Sequence, residues 1–169
     1  LGGKYGTADI VTKKKYRDFR LHVEFLVEKE GGNSGVYLQN RYEIQVLDGD
    51  TTKHGMGAVI NETESPYHAY KGIGKWNSYD IKFRAARFEN GQRSEKALVT
   101  VYFNGEKVHI DVPINQVWGG ANSGLELKSI ALSIVIPALK LLDINCKKSG
   151  KTSSTFLILV VFFKFFLTM

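Results

Sequence analysis

The sequence has 169 residues, 43% hydrophobic and 24% charged, which is typical of a folded domain and excludes a disordered or fibrous chain. Its net charge of +6 would suit nucleic acid, but residues 131–169 carry five lysines and one aspartate, so residues 1–130 have a net charge of only +2. We therefore expect no nucleic-acid partner. The single cysteine, Cys146, excludes an intrachain disulfide framework and a cysteine-based zinc site.

Short strands follow one another along the chain. Residues 18–28, DFRLHVEFLVE, alternate apolar and polar side chains, which is the period of a half-buried antiparallel strand. Similar patterns predict strands at 8–12, 34–39, 42–47, 57–60, 79–85, 97–103, 106–112 and 124–130. Because no amphipathic helix is evident before residue 130, we predict an all-β fold, a sandwich or jelly roll of antiparallel strands.

Turn residues separate several of these strands. Asn104 and Gly105 lie between two predicted strands and are typical of a two-residue type I′ hairpin turn. The segment 33–35, Asn-Ser-Gly, is interpreted as a turn that begins a strand. His109 alternates with Val108 and Ile110, and we predict that it is exposed.

The composition changes after Ile130. Residues 131–169 lose the alternation and end in an apolar run, 156–168, which Lys164 interrupts and which is shorter than the roughly 20 residues of a membrane span. We predict a β-sandwich domain over 1–130 and an atypical tail over 131–169. Three interpretations of the tail stay open: a shifted reading frame or unspliced sequence, a segment that finishes the sandwich, and a membrane anchor. A membrane partner is expected only in the last case.

Four motifs occur in a specific order: GGNSGVYLQNRYEIQVLD (31–48), GMGAV (55–59), GKWNSYDIKF (74–83) and VTVYFNGEKVH (99–109). Together they resemble the 3-keto-disaccharide hydrolase family, long known as a domain of unknown function, over about residues 4–128. The resemblance implies a concanavalin A-like jelly roll with a sugar-binding sheet face. It also implies action on disaccharides or glycosides whose sugar carries a 3-ketone, and a secreted or periplasmic protein. The family's opening segment and its closing His-Gly and Arg-Asn motifs are absent, so we expect the match to be incomplete at both ends.

The alternation predicts which residues share a sheet face. In the strand 42–47 the even-numbered residues are apolar and are expected to face the core, so Glu43 and Gln45 face outward. Tyr37 and Gln39 of the preceding strand are expected to share that outer face. One carboxylate, two amides and an aromatic ring suit a sugar, because they bind its hydroxyl groups and stack on its ring.

The sequence EIQVLD has the spacing of the Glu-x-Asp-x-x-Glu motif of jelly-roll glucanases, with Glu43, Gln45 and Asp48 at the three positions. Asp48 would need a β-bulge to return to the outer face. An ordinary glycosidase uses two carboxylates, and only Glu43 is a firm candidate. The candidates for its partner are Asp48, His54, Glu24 and His22.

A 3-ketone would lower this requirement, because it acidifies the neighbouring C2 proton. One base removes that proton, the group at C1 leaves by β-elimination, and water then adds to the product. Glu43 is the predicted base, and Gln45, Arg41 and His54 are candidates for holding the enolate oxygen. A divalent metal ion is left open as a cofactor, since no ligand spacing in the sequence specifies one.

Further candidate substrate contacts are Asn33, Trp76 and Asn77, with Trp76 either a sugar platform or a packing residue. The predicted function is cleavage of a 3-keto-disaccharide or 3-keto-glycoside, by hydrolysis or elimination, with carbohydrate as the partner. One alternative is a non-catalytic carbohydrate-binding module, in which Tyr37 and Trp76 would matter more than Glu43. Another is an interaction or structural domain without a sugar ligand.

Overall fold

The computed structural model describes residues 9–12 and 15–117, together with the backbone of four later strands. The strands are β1 (Asp9–Val11), β2 (Phe19–Leu26), β3 (Asn33–Leu38), β4 (Tyr42–Leu47), β5 (Trp76–Arg84), β6 (Arg87–Glu89), β7 (Gln92–Glu95), β8 (Ala97–Phe103), β9 (Glu106–Ile114), β10 (Val135–Pro137), β11 (Leu142–Asp143), β12 (Phe156–Leu157) and β13 (Lys164–Thr168). A short 3-10 helix spans Tyr67–Ala69.

Two antiparallel sheets form a sandwich, which confirms the all-β prediction. The four-stranded sheet has the order β1-β10-β3-β4, and the five-stranded sheet has the order β13-β2-β5-β8-β9. Strands β6 and β7 form a separate hairpin, and β11 pairs with β12. Consecutive strands in space are often distant in sequence, as is usual for a jelly roll.

The core lies between the two sheets because each contributes an alternating apolar face. In β2, every second residue from Phe19 to Phe25 is at most 3% exposed. Tyr42 of the four-stranded sheet packs 5.7 Å from Phe83 of the five-stranded sheet, measured between ring centroids. Burial of one such side chain contributes about 1.5–3 kcal/mol, so this interior supplies most of the stabilisation of the fold.

The Asn104–Gly105 turn is confirmed. Both residues have positive φ, 52° and 86°, as a type I′ turn requires, and they join β8 to β9. Asn90 and Gly91 form an equivalent turn between β6 and β7, with φ values of 50° and 80°. This second hairpin was not predicted from the sequence, because its short strands carry mostly polar side chains.

The prediction that His109 is exposed is wrong. The register between β8 and β9 shifts twice, so β9 contains two bulges and its inward positions change phase. His109 is 3% exposed, and its Nε2 donates to the backbone oxygen of Gly57 at 2.8 Å. Ile110 is 64% exposed instead. Burial lowers the pKa of His109, which favours the neutral ring that makes this bond.

Two other predicted strands differ from the structure or fall outside it. Segment 57–60 is joined to β4 by a single bridge, Ile44 to Val59, rather than forming a full strand. Segment 124–130 lies outside the described residues, as does most of the tail 131–169. Within the tail, β10 pairs with β1 and β3, and β13 pairs with β2.

No helix within the described residues has the length and apolar character needed to cross a membrane.

Candidate functional site

The outer face of the β3–β4 hairpin carries the candidate site. Tyr37 lies directly opposite Glu43, and Gly35 lies directly opposite Gln45. The intervening apolar residues of both strands are buried in the core, as the alternation predicted. A continuous register of six residue pairs holds the four positions together, so their relative placement depends on rigid sheet geometry rather than on a loop.

Gly35 makes room for the carboxylate of Glu43. A Cβ atom built at Gly35 would overlap the Oε1 atom of Glu43 and would lie 2.9 Å from its Cδ. Gly35 does not have a positive φ, so backbone conformation does not require glycine here. A glycine inside a strand often marks the close approach of another group, and here that group is the Glu43 side chain.

The environment of Glu43 makes it a stronger base than an ordinary carboxylate. Burial raises its pKa to about 7, and a hydrogen bond from the Tyr37 hydroxyl only partly opposes the rise. No described carboxylate or cation adds to these two causes. A carboxyl group with a pKa near neutrality is suited to accept and release a proton under physiological conditions.

Gln45 is two residues from Glu43 in β4, and most of its polar atoms form hydrogen bonds with other parts of the protein. Its side-chain Oε1 accepts a hydrogen bond from the Val46 amide at 3.0 Å. Its backbone oxygen accepts from the Tyr79 hydroxyl at 2.7 Å and from the Gly57 amide at 2.9 Å. Gln45 is 7% exposed, and its backbone bonds fix the strand under Glu43.

Asp48 is not brought next to Glu43, so the glucanase-like spacing does not produce a pair of carboxylates. The β3–β4 register contains no bulge that would turn Asp48 to the outer face. Its Oδ2 accepts from the Gly31 amide at 3.2 Å. Burial and the nearby Asp48 raise the pKa of Tyr70, a residue that packs against the core.

Two of the predicted substrate-binding amides have structural partners instead. Gln39 lies in the turn after β3 with a φ of 55°, is 2% exposed, and donates to the backbone oxygens of Tyr16 and Arg17. Asn77 is 1% exposed, and its Oδ1 accepts from the Lys71 amide at 3.0 Å. Both side chains therefore form hydrogen bonds within the protein and are buried, instead of lying exposed to bind a sugar as predicted.

The remaining candidates lie on three different elements: β5, the start of β3 and the loop after β4. Trp76 is on the outer face of β5 in the other sheet and is 42% exposed. Asn33 is exposed at the start of β3, where it pairs with Leu47, so segment 33–35 is part of a strand rather than the predicted turn. His54 is exposed in the loop after β4, with its amide bonded to Thr52.

Arg41 lies in the turn between β3 and β4, two residues before Glu43. Its Nε atom is buried and has no hydrogen-bond partner among the described residues. An unpaired buried donor costs about 1–3 kcal/mol, so such groups usually have a partner or a function. An oxygen atom of a bound ligand would remove this cost.

The sequence analysis missed Gly35 and His109 as parts of the site's framework. Gly35 could have been found, because the alternation in β3 already placed it on the outer face beside the predicted base. His109 could not, because its role depends on bulges in β9 and on a partner 52 residues away.

The described side chains do not bring together a metal site. Among residues 12 and 15–117, no three His, Cys, Asp or Glu side chains are close enough to share an ion. Asp48 does not add a second carboxylate beside Glu43, because its Oδ2 accepts from the Gly31 amide. The described residues therefore specify no divalent cation, and the proposed chemistry is assigned to protein groups.

The model of the 3-keto-alpha-glucoside-1,2-lyase-like domain matches residues 2–135. The chain belongs to this family. Family membership agrees with the two-sheet fold, a concanavalin A-like jelly roll. No match was found among curated proteins.

Two solved structures from Parabacteroides distasonis ATCC 8503 are similar to the chain, and each is called a "putative glycosyl hydrolase". One is 31% identical with a TM-score of 0.65, over 76% of this chain and 59% of that one. The other is 20% identical with a TM-score of 0.52, over 78% and 74%, and shows the fold alone. The chain thus spans less than two thirds of the first structure.

Proposed function

We propose that this protein cleaves 3-keto-disaccharides or 3-keto-glycosides on the outer face of its four-stranded sheet. The observation that carries the proposal is Glu43, a single carboxylate that lies over Gly35, opposite Tyr37, with a pKa of about 7. Its position on a rigid hairpin suits a base that must meet one particular proton of the substrate.

The chemistry requires only one such base. Glu43 takes the C2 proton, which the 3-ketone makes acidic, and the electrons of the C2–H bond form an enolate. As the enolate collapses, the C1–O bond breaks and the leaving oxygen takes the proton that Glu43 removed, which regenerates the carboxylate. Release of the unsaturated ketone makes the reaction a lyase reaction, and addition of water to C1 makes it a net hydrolysis.

Two neighbouring groups support this step. The Tyr37 hydroxyl donates to the Glu43 carboxylate and so orients it before the substrate arrives. Arg41 has an unpaired buried Nε atom near the start of the same strand, and we assign it to an oxygen of the substrate or of the enolate. Gln45 contributes mainly by fixing the strand.

Glu43 is the one carboxylate in strands β3 and β4, and the proposed elimination needs a single base, whereas ordinary glycoside hydrolysis uses two carboxylates. One alternative is a non-catalytic carbohydrate-binding module, which needs no base. A secreted or periplasmic location is part of the proposal and rests on the family resemblance.

The test is release of a chromogenic aglycone from a 3-keto-glucoside and from its unoxidised parent, each with and without EDTA. We expect release from the keto substrate alone, and no effect of EDTA. Equal release from both substrates would contradict the keto-dependent mechanism, and binding of either sugar without any release would favour the binding module.

A further inference from the structure

A groove of about 600 Å³ crosses the outer face of the five-stranded sheet. Its walls come from β2, β5, β8 and β9, whose spacing makes it roughly 14 Å across. Glu43 lies on the other sheet, so this groove is separate from the candidate active site. Its length would accommodate a few linked sugar rings rather than a single small ion.

The bulges of β9 shape one wall of the groove. Between Val99 and Tyr102 the β8–β9 register shifts twice, and Ile110 and Asp111 lie side by side near Thr100. Asp111 has a φ of 44°, and Ile110 is 64% exposed. Regular strands rarely expose an isoleucine or place an aspartate at positive φ. Such irregularities are more frequent near functional sites than elsewhere in a sheet.

Three cations line the groove, Arg20, Lys82 and Lys107, and two of them face each other across its floor. Arg20 of β2 lies directly opposite Lys82 of β5, and like charges in this position destabilise a sheet. Neither side chain forms an ion pair with any residue that the structure describes. A ligand with a negative charge would relieve their repulsion.

The two acidic residues of the groove are already engaged. Asp80 accepts a hydrogen bond from His22, with 2.6 Å between Oδ1 and Nδ1. Asp111 accepts from the Thr100 hydroxyl at 3.1 Å. The three cations outnumber these two carboxylates, so the groove keeps a net positive charge, and the remaining lone pairs of the carboxylates can accept hydrogen bonds from ligand hydroxyl groups.

We propose that this groove is a second binding site, for an acidic saccharide. Arg20 and Lys82 bind a carboxylate of the sugar, and Asp111 accepts from its hydroxyl groups. Ile110 provides an apolar surface for the ring's C–H face, and the Lys107 ammonium group lies over the Tyr102 ring, 5.4 Å from its centroid. Cations, acceptors and apolar surface in one groove suit a ligand with sparse negative charge and many hydroxyl groups, whereas a dense polyphosphate would meet repulsion from Asp111.

The test is calorimetric titration of the full chain with trigalacturonate, with maltotriose as a neutral trisaccharide and sodium sulfate as a simple anion. Replacing both cations, Arg20→Ala with Lys82→Ala, should weaken trigalacturonate binding about tenfold or more, since charge-assisted hydrogen bonds are lost. The control pair Lys29→Ala with Lys75→Ala removes the same charge from exposed positions outside the groove and should change nothing.

The proposal is overturned if trigalacturonate does not bind, if both double variants weaken it equally, or if maltotriose or sulfate binds as tightly. Glu43→Gln should leave trigalacturonate binding intact, because Glu43 lies on the other sheet. The groove and the proposed catalytic function can therefore fail independently of each other.

Discussion

At the scale of single residues, the burial that makes Glu43 a stronger base also destabilises the folded protein when the carboxylate is ionised. Burial raises its pKa from 4.5 to about 7, so the folded protein disfavours the ionised form that catalysis needs. The unfolded chain ionises freely above about pH 4.5. Stability should therefore fall as pH rises from about 4.5 to 7 and stay constant above that range.

Glu43→Gln should remove this pH-dependent cost. At pH 8 we expect the variant to be more stable than the natural protein by about 1–3 kcal/mol, and at pH 4 the difference should largely disappear. Urea denaturation at both pH values measures the effect. Glu30→Gln, at an exposed position, is the control and should show no such pH dependence. A gain for Glu43→Gln that is equal at both pH values would contradict the argument.

Gly35→Ala should displace the Glu43 carboxylate without changing the backbone. Because the three atoms nearest to the new Cβ all belong to the flexible Glu43 side chain, we expect the melting temperature to fall by a few degrees at most. Activity on the keto substrate should fall about 100-fold, as for a misplacement of 1 Å. The midpoint of the pH–rate profile should also move below about 7 as the carboxylate gains solvent. An unchanged profile would show that Gly35 does not position Glu43.

The outward orientation of Glu43 and Tyr37 was predictable from the sequence, because period-two alternation fixes which residues share a face. The partners of Gln39, Asn77 and Asp48 were not. Gln39, for example, bonds to Tyr16 and Arg17, 23 and 22 residues earlier in the chain. Such bonds depend on which loop packs against which strand, and the alternation of apolar and polar residues within one strand does not determine this.

At the scale of elements, the turn between β8 and β9 is hydrogen-bonded both to the 3-10 helix and to β5. Asn104 donates to the backbone oxygen of Ala69 at 2.7 Å and to the Asn77 side chain at 2.8 Å, and its Oδ1 accepts from the Ser78 amide at 2.9 Å. The sequence predicted the turn from the Asn-Gly pair, but the three bonds became evident only in the structure.

Asn104→Ala should therefore destabilise the protein by about 2–4 kcal/mol, since it leaves buried partners unpaired and also places alanine at a positive φ. Asn90→Ala is a matched control, because Asn90 occupies the same position of the β6–β7 turn with φ 50°. We expect it to cost about 1 kcal/mol. Equal losses in chemical denaturation would mean that the bonds of Asn104 contribute nothing.

Strand phase explains where element-level prediction failed. In β2, β4 and β8 the alternation is unbroken, and the predicted core residues are buried. In β9 the register shift opposite Val99–Val101 reverses the phase, so His109 is inside and Ile110 is outside. The simple alternation of β9 matched a regular strand, which is why the pattern could not reveal the bulges.

At the scale of the whole molecule, the sandwich separates two outer faces. Glu43 and Tyr37 lie on the four-stranded sheet, and Trp76 lies on the five-stranded sheet. The predicted single sugar-binding face would have combined them. Residues from both faces cannot contact the same small substrate, since packed sheets are about 10 Å apart and the core fills the space between them.

Trp76→Ala should consequently leave the KM and kcat for a small 3-keto-glucoside unchanged within about twofold. Tyr37→Phe removes the hydroxyl that orients Glu43 and should lower kcat by about tenfold. Steady-state kinetics of both variants provide the comparison. A large effect of Trp76→Ala with none of Tyr37→Phe would place the sugar on the five-stranded sheet instead.

The most direct test of the central claim is to measure turnover and binding of a 3-keto-glucoside by Glu43→Gln. If Glu43 is the base, aglycone release should fall by a factor of about 10² to 10⁴, while calorimetry should show the keto substrate bound with nearly unchanged affinity. Aglycone release at the natural rate by Glu43→Gln would contradict the assignment of this carboxylate as the base.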